Sequence, residues 1–117
     1  MKKEFELEKE FANKWIQALT SGKYLQGQEQ LLMDNKYCCL GVACTLIDPN
    51  VNINGIGLIV EESFLELEDE GFYDKVPLLL RGHQWNNAFV STVSGMNDSG
   101  SSFEEIANWI ENNVEFV

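Results

Sequence analysis

An α+β domain is predicted by three features of the sequence. An amphipathic helix pattern stands at each end, an apolar helical run carries all three cysteines, and short alternating runs punctuated by turn residues lie between. The 117 residues suit one domain, 1–117, with both terminal helices packed on short antiparallel strands around the buried cysteine-containing helix.

Residues 4–20, "EFELEKEFANKWIQALT", predict the first helix. Leu7, Phe11, Trp15 and Ala18 form one stripe, Ala12, Ile16 and Leu19 widen it, and Gly22 stands where a C-terminal cap belongs. Asp34-Asn35 between two apolar runs predicts a hairpin over 28–33 and 36–39, because both residues tolerate positive φ. In 39–47, Leu40, Ala43, Cys44 and Ile47 recur at helical spacing while Cys39, Val42 and Leu46 cover the adjacent side. A helix apolar nearly all round is a buried one, and Pro49 blocks its continuation.

"VNINGIGLIVEE" alternates on both sides of Asn54-Gly55, which predicts a second hairpin. Residues 62–74 fit either a strand, with Leu65 and Leu67 alternating, or a helical turn through Phe64 and Leu67 ended by Gly71. "VPLLLRG" reads as one or two helical turns, and "AFVSTV", 88–93, as a strand. The last helix follows "SGSSFEE". Ser101 precedes Glu104 by three residues and Ser102 precedes Glu105 by three, each a candidate capping box. Phe103, Ile106, Ala107, Ile110 and Val114 mark one face.

Charge narrows the function. Eight Lys+Arg stand against 19 Asp+Glu, a net charge of −11. With no basic patch, direct nucleic-acid binding is not expected. No apolar run reaches the ~20 residues of a membrane helix, and the N-terminus lacks the apolar stretch of a signal peptide, so no membrane association and a cytoplasmic location are expected. The acidity serves solubility, or it lets the chain dock on basic proteins.

Cys38, Cys39 and Cys44 have the spacing C-C-x₄-C. Zinc sites repeat a C-x₂₋₄-C pair or complete it with histidines, and here His83 is the lone histidine. A reactive thiolate needs exposure beside a positive group, whereas these cysteines are flanked by Tyr37, Leu40, Val42 and Ala43. The cysteines therefore read as packing material, with no metal and no cofactor expected, and Gly41 as a point of close backbone approach.

Three clusters remain. Asn97, Asp98, Ser99, Gly100, Ser101 and Ser102 lead into a helix N-terminus, where free amides can hold an anion. The same residue types serve equally as caps, and Asp98, Glu104 and Glu105 repel an anion, which favours capping. Arg81, with His83 and Trp85, can grip a planar or anionic ligand by charge and stacking. Residues 61–74 carry Glu61, Glu62, Glu66, Glu68, Asp69, Glu70 and Asp74 with no Lys or Arg. Such a run is a solvated face, or it imitates a phosphate backbone and fills a nucleic-acid-binding cleft. No catalytic constellation stands out, so no enzymatic activity is expected.

Three segments carry a resemblance. Ser21, Gly22 and Tyr24 end a tryptophan-containing helix. Tyr37, Cys38, Cys39, Leu40, Gly41 and Val42 form a Tyr-Cys-Cys-Leu-Gly-Val core. Asn97, Asp98, Gly100, Ser102, Phe103, Ile106 and Ala107 form an Asn-Asp-x-Gly-x-Ser-Phe helix entry. Together they resemble a family of small proteins found widely in tailed-bacteriophage genomes. The match covers both ends and the core, not residues 48–90, where "KVPLLLRGHQW" keeps the family's proline but departs from the rest. The resemblance implies a phage or prophage origin and no particular mechanism. The expectation is a non-enzymatic acidic protein that engages and inhibits a host protein, a defence or nucleic-acid enzyme with a basic surface. The alternative is a binder of a small nucleotide signal through 97–102, Arg81 and Trp85.

Overall fold

The computed structural model describes residues 3–69, 71–82 and 87–117. Its first helix, α1 (Lys9–Thr20), buries Ala12, Trp15 and Leu19 on the expected stripe, and Gly22 takes φ +79° just past its end. The helix begins later than the periodicity suggests. Phe5–Leu7 form a strand, β1, paired in parallel with β5 (Val114–Phe116) in the register Phe5↔Val114 and Leu7↔Phe116. No side chain caps the start of α1. The Val117 carbonyl accepts the Lys9 N–H at 2.9 Å, so the far end of the chain fixes where the helix starts. Leu7 stays buried, but as a strand residue.

The Asp34-Asn35 turn forms as expected. Both residues have positive φ, +52° and +64°, and they join β3 (Leu32–Met33) to β4 (Lys36–Tyr37) as an antiparallel hairpin shorter than 28–39. A third strand, β2 (Leu25–Gln26), pairs with β4 in parallel, giving the order β2-β4-β3. Two of the three pairings among the described residues are thus parallel, where antiparallel strands were expected.

The cysteine helix, α2 (Cys39–Ile47), has the predicted bounds and buries every residue from Cys39 to Cys44. Trp15 in α1 donates its indole N–H to the Cys39 carbonyl at 2.9 Å, which satisfies a buried polar tip and locks the two helices together. Gly41 lies against the backbone of Leu31, and a Cβ there would overlap the Leu31 carbonyl oxygen.

Two expectations are corrected. The Asn54-Gly55 hairpin does not form. Only Gly55 has positive φ, and Gly55 and Ile56 instead bond Leu32 and Leu31, leaving one isolated parallel bridge, Leu32↔Asn54. Ile53 and Ile59 are each buried, so the apolar alternation served core anchors in an irregular segment. Residues 88–93 are not a strand. They open α5 (Ala88–Asp98), where Phe89, Val90, Val93 and Asn97 form a buried helical face. The β-branched residues are overruled by a cap: the Asn87 side chain accepts the Val90 N–H at 2.9 Å and donates to the Leu79 and Arg81 carbonyls.

The acidic stretch carries two short helices, α3 (Glu61–Glu66) and α4 (Phe72–Lys75), with Phe64 and Phe72 in contact at 4.6 Å between ring centroids. A 3₁₀ turn follows at Leu78–Leu80 after Pro77. The last helix, α6 (Phe103–Asn113), buries Phe103, Ile106, Ala107 and Ile110. α1, α2, α5 and α6 close one α+β core, with Phe89 ringed by Phe5, Trp15 and Trp109 at 5.5–6.0 Å. No helix among the described residues is long and apolar enough to cross a membrane.

Gly41→Ala should destabilise the fold by at least about 2 kcal/mol, because backbone rather than a movable side chain occupies the space. Urea denaturation measures it. An unchanged midpoint would show that α2 does not approach Leu31 this closely.

Candidate functional site

The cysteines sit in the fold as packing groups. Cys38 caps α2 through its sulfur, which accepts the Gly41 N–H at 3.4 Å, and the Cys39 thiol points to the Val93 carbonyl at 3.6 Å. All three are free and buried. Burial pushes each thiol upward from its ordinary pKa, Cys39 well above it. At Cys38 burial outweighs the hydrogen bond from the Gly41 amide, which pulls downward, and the Asp98 charge adds a smaller rise. These are protonated thiols at neutral pH. Among the described residues no group of three His, Cys, Asp or Glu side chains can hold a metal ion. His83 lies outside them.

Residues 95–102 are half helix. Gly95–Asp98 complete α5, and Asn97 is fully buried. Its carboxamide is saturated. Oδ1 accepts from Gln26 Nε2 at 3.1 Å and from the Cys39 amide at 3.2 Å, while Nδ2 donates to the Gly27 carbonyl at 2.7 Å and the Asp98 carboxylate at 3.4 Å. Gln26 extends the relay. Its Nε2 reaches the Ser101 carbonyl at 2.7 Å, and its Oε1 takes the Phe103 amide at 3.0 Å. The first amides of α2 and α6 are therefore both satisfied by side chains of one cluster.

Ser102 and Glu105 complete the end of α6 as a reciprocal capping box, whereas Ser101 donates its N–H to the Met96 carbonyl instead of pairing with Glu104. Ser99 turns its hydroxyl back to the Met96 carbonyl, and Gly100 takes φ +105°. Asp98 accepts the Glu29 amide at 2.7 Å, holding Glu29 at φ +70°. The amides expected to offer an anion site are largely engaged within the chain. A hollow of about 310 Å³ beside them is lined by Glu29, Cys38, Leu40, Gly57, Leu58, Ser94 and Asp98, and it presents two carboxylates and a protonated thiol.

Arg81 is also engaged. Its Nε donates to the Val76 carbonyl at 3.0 Å, Nη2 to the Asp74 carbonyl at 3.4 Å, and its guanidinium lies 4.6 Å from the centre of the Tyr73 ring. Trp85, its expected companion, lies outside the described residues.

The acidic run is a helical edge. Glu61 and Glu62 open α3, where carboxylates favour the helix dipole, and Glu66, Glu68 and Asp74 are exposed with Asp69 half-buried. Glu70 lies outside the described residues. The fold brings Glu61, Asp69 and Asp74 together around a hollow of about 220 Å³ walled by Phe64, Leu65, Gly71 and Tyr73. Leu65 and Leu67 stand 58% and 41% exposed among these carboxylates. The sequence signal for Leu65 was its failure to fit the buried turn through Phe64. The roles of Tyr73 and Gln26 had no local signal.

Asn97→Ala should cost about 2–4 kcal/mol in urea denaturation, since it strands the Cys39 amide and two partners in the interior, while Ser99→Ala changes little. A loss under about 1 kcal/mol would sink the relay. Stability should also fall as pH rises past about 8.5, where unfolded thiols ionise and the buried ones keep their protons. The limiting slope is about 1.4 kcal/mol per pH unit for each thiol, so Cys44→Ala should flatten the fall by about a third of the thiol contribution. Equal slopes in the two proteins would mean that Cys44 is not sealed.

A family model described as a domain of unknown function (DUF8296) matches residues 7–55, the stretch from the end of β1 through α2 to the Asn54-Gly55 turn. No curated protein and no solved structure matches the chain.

Proposed function

We propose that this chain is a non-enzymatic binding protein whose acidic edge over residues 61–74 docks on a basic surface of another protein. The observation that carries this reading is the mixed character of the edge. Carboxylates at Glu61, Asp69 and Asp74 surround a hollow with an aromatic wall at Tyr73, and Leu65 and Leu67 are exposed among them. An interface core needs apolar contact inside a charged rim, and exposed leucines among carboxylates supply that combination. The net charge of −11 steers such an encounter over distance and fixes its partner's sign. The protonated, enclosed thiols support binding over transformation. The resemblance to phage proteins makes the partner a host protein, a defence or nucleic-acid enzyme whose basic cleft this edge fills and inhibits.

The test is affinity capture from bacterial lysate with the wild-type chain and with a variant carrying Glu61→Gln, Glu66→Gln, Glu68→Gln, Asp69→Asn and Asp74→Asn. Proteins retained by the wild type alone are then studied by binding kinetics. The association rate should drop roughly tenfold or more between about 50 and 300 mM salt, and the variant should lose both the rate and its salt dependence. Retention of the same proteins by both chains would refute the acidic edge as the interface.

A further inference from the structure

We infer a second site, distinct from the acidic edge, for a small phosphorylated molecule in the concavity between the end of α1 and the end of α2. The concavity measures about 280 Å³ and is lined by Lys14, Gln17, Ala18, Ser21, Lys23, Tyr24 and Leu46. Its charge is opposite to that of the molecule. The chain has eight Lys+Arg against 19 Asp+Glu, yet two lysines and no carboxylate line this space. The other two described hollows set the contrast, each presenting two or more carboxylates and no cation.

The end of a helix ordinarily repels an anion, because its last carbonyls point outward. Here two of those carbonyls are covered. Thr20 turns its hydroxyl to the Gln17 carbonyl at 3.4 Å, and Ser21 directs both its hydroxyl, at 2.8 Å, and its amide, at 3.3 Å, to the Ala18 carbonyl. The lysines are available. Lys14 meets Glu10 at 3.6 Å, but both side chains are more than half exposed, and such a pair holds its cation weakly. Lys23 is exposed.

The wall opposite the lysines is rigid. Tyr24 stacks edge-on against Tyr37 at 5.2 Å, and its hydroxyl shares a 3.2 Å hydrogen bond with that of Thr45. Tyr24, Ala18 and Leu46 supply an apolar floor beneath two cations and the Gln17 amide. That combination takes a phosphate monoester on a compact organic body, a nucleoside monophosphate or a sugar phosphate. All of the lining residues fall within 7–55, so the stretch matched by the family model holds the whole site by itself.

Calorimetric titration at low salt with a nucleoside monophosphate, a sugar phosphate, inorganic phosphate and the unphosphorylated nucleoside tests the site. Saturable binding of an organic phosphate is expected, with no binding of the bare nucleoside. Lys14→Gln/Lys23→Gln should weaken it tenfold or more, a loss of about 1.4 kcal/mol, while Lys36→Gln/Lys75→Gln, of equal net charge, leaves it within about twofold. The better of the two esters identifies the organic body. No binding of any phosphate, inorganic phosphate binding as tightly as both esters, or an equal loss in both double variants would overturn the proposal. Circular dichroism confirms that each variant is folded.

Discussion

The buried carboxamide of Asn97 is the interaction on which the rest of this structure depends. It stands at the end of α5 and reaches Gln26 in β2, Gly27 just beyond it and the first amide of α2. Through Gln26 it reaches the start of α6 as well. Two stretches far apart in sequence, 26–39 and 97–103, are thereby held to one point. A carboxamide has two donors and two acceptor positions, and each is used, so no rotation or replacement keeps all of the contacts. The apolar core supplies the driving force for collapse. This polar knot selects which collapsed arrangement is native.

Where the sequence could be read and where it could not follows from the range of the deciding interaction. The cysteine helix, the Asp34-Asn35 turn and the Ser102–Glu105 cap are settled by neighbours a few residues apart, and all three were legible. β1 and β2 were not. Each is a parallel strand whose partner is distant in sequence or joined by no tight turn, and parallel pairing leaves little local pattern. Residues 88–93 looked like a strand because Val90, Thr92 and Val93 are β-branched. The deciding signals were Asn87 before the run and the recurrence Phe89, Val93, Asn97. Treating Asn97 as a loop residue hid that spacing and with it the knot. The charge of the acidic edge was plain from composition, but the convergence of Glu61, Asp69 and Asp74 on Tyr73 needed the packing of α3 on α4 through Phe64 and Phe72.

Charge is distributed over this molecule with a division of labour. The edge at α3 and α4 concentrates carboxylates beside exposed leucines, while the end of α1 gathers lysines beside aromatic and aliphatic surface. The thiols belong to neither. They fill space at the centre, where desolvation keeps them protonated and the packing around Gly41 leaves no room for a larger helix face. Cysteine suits that task because it is small, apolar in its neutral form and able, at Cys38, to accept an amide proton as well.

The parallel pairing of Phe5–Leu7 with Val114–Phe116 carries a consequence for how the molecule comes into being. A ribosome releases the first of these strands long before the second exists. Until the second arrives, α1 lacks the carbonyl that starts it, and Phe5 has no strand beside it to hold it against Phe89 and Trp109. Among the pairings of the described residues this one closes the longest loop and carries the largest closure entropy. The strand and the helix it starts are therefore completed only once residues 114–117 have been made.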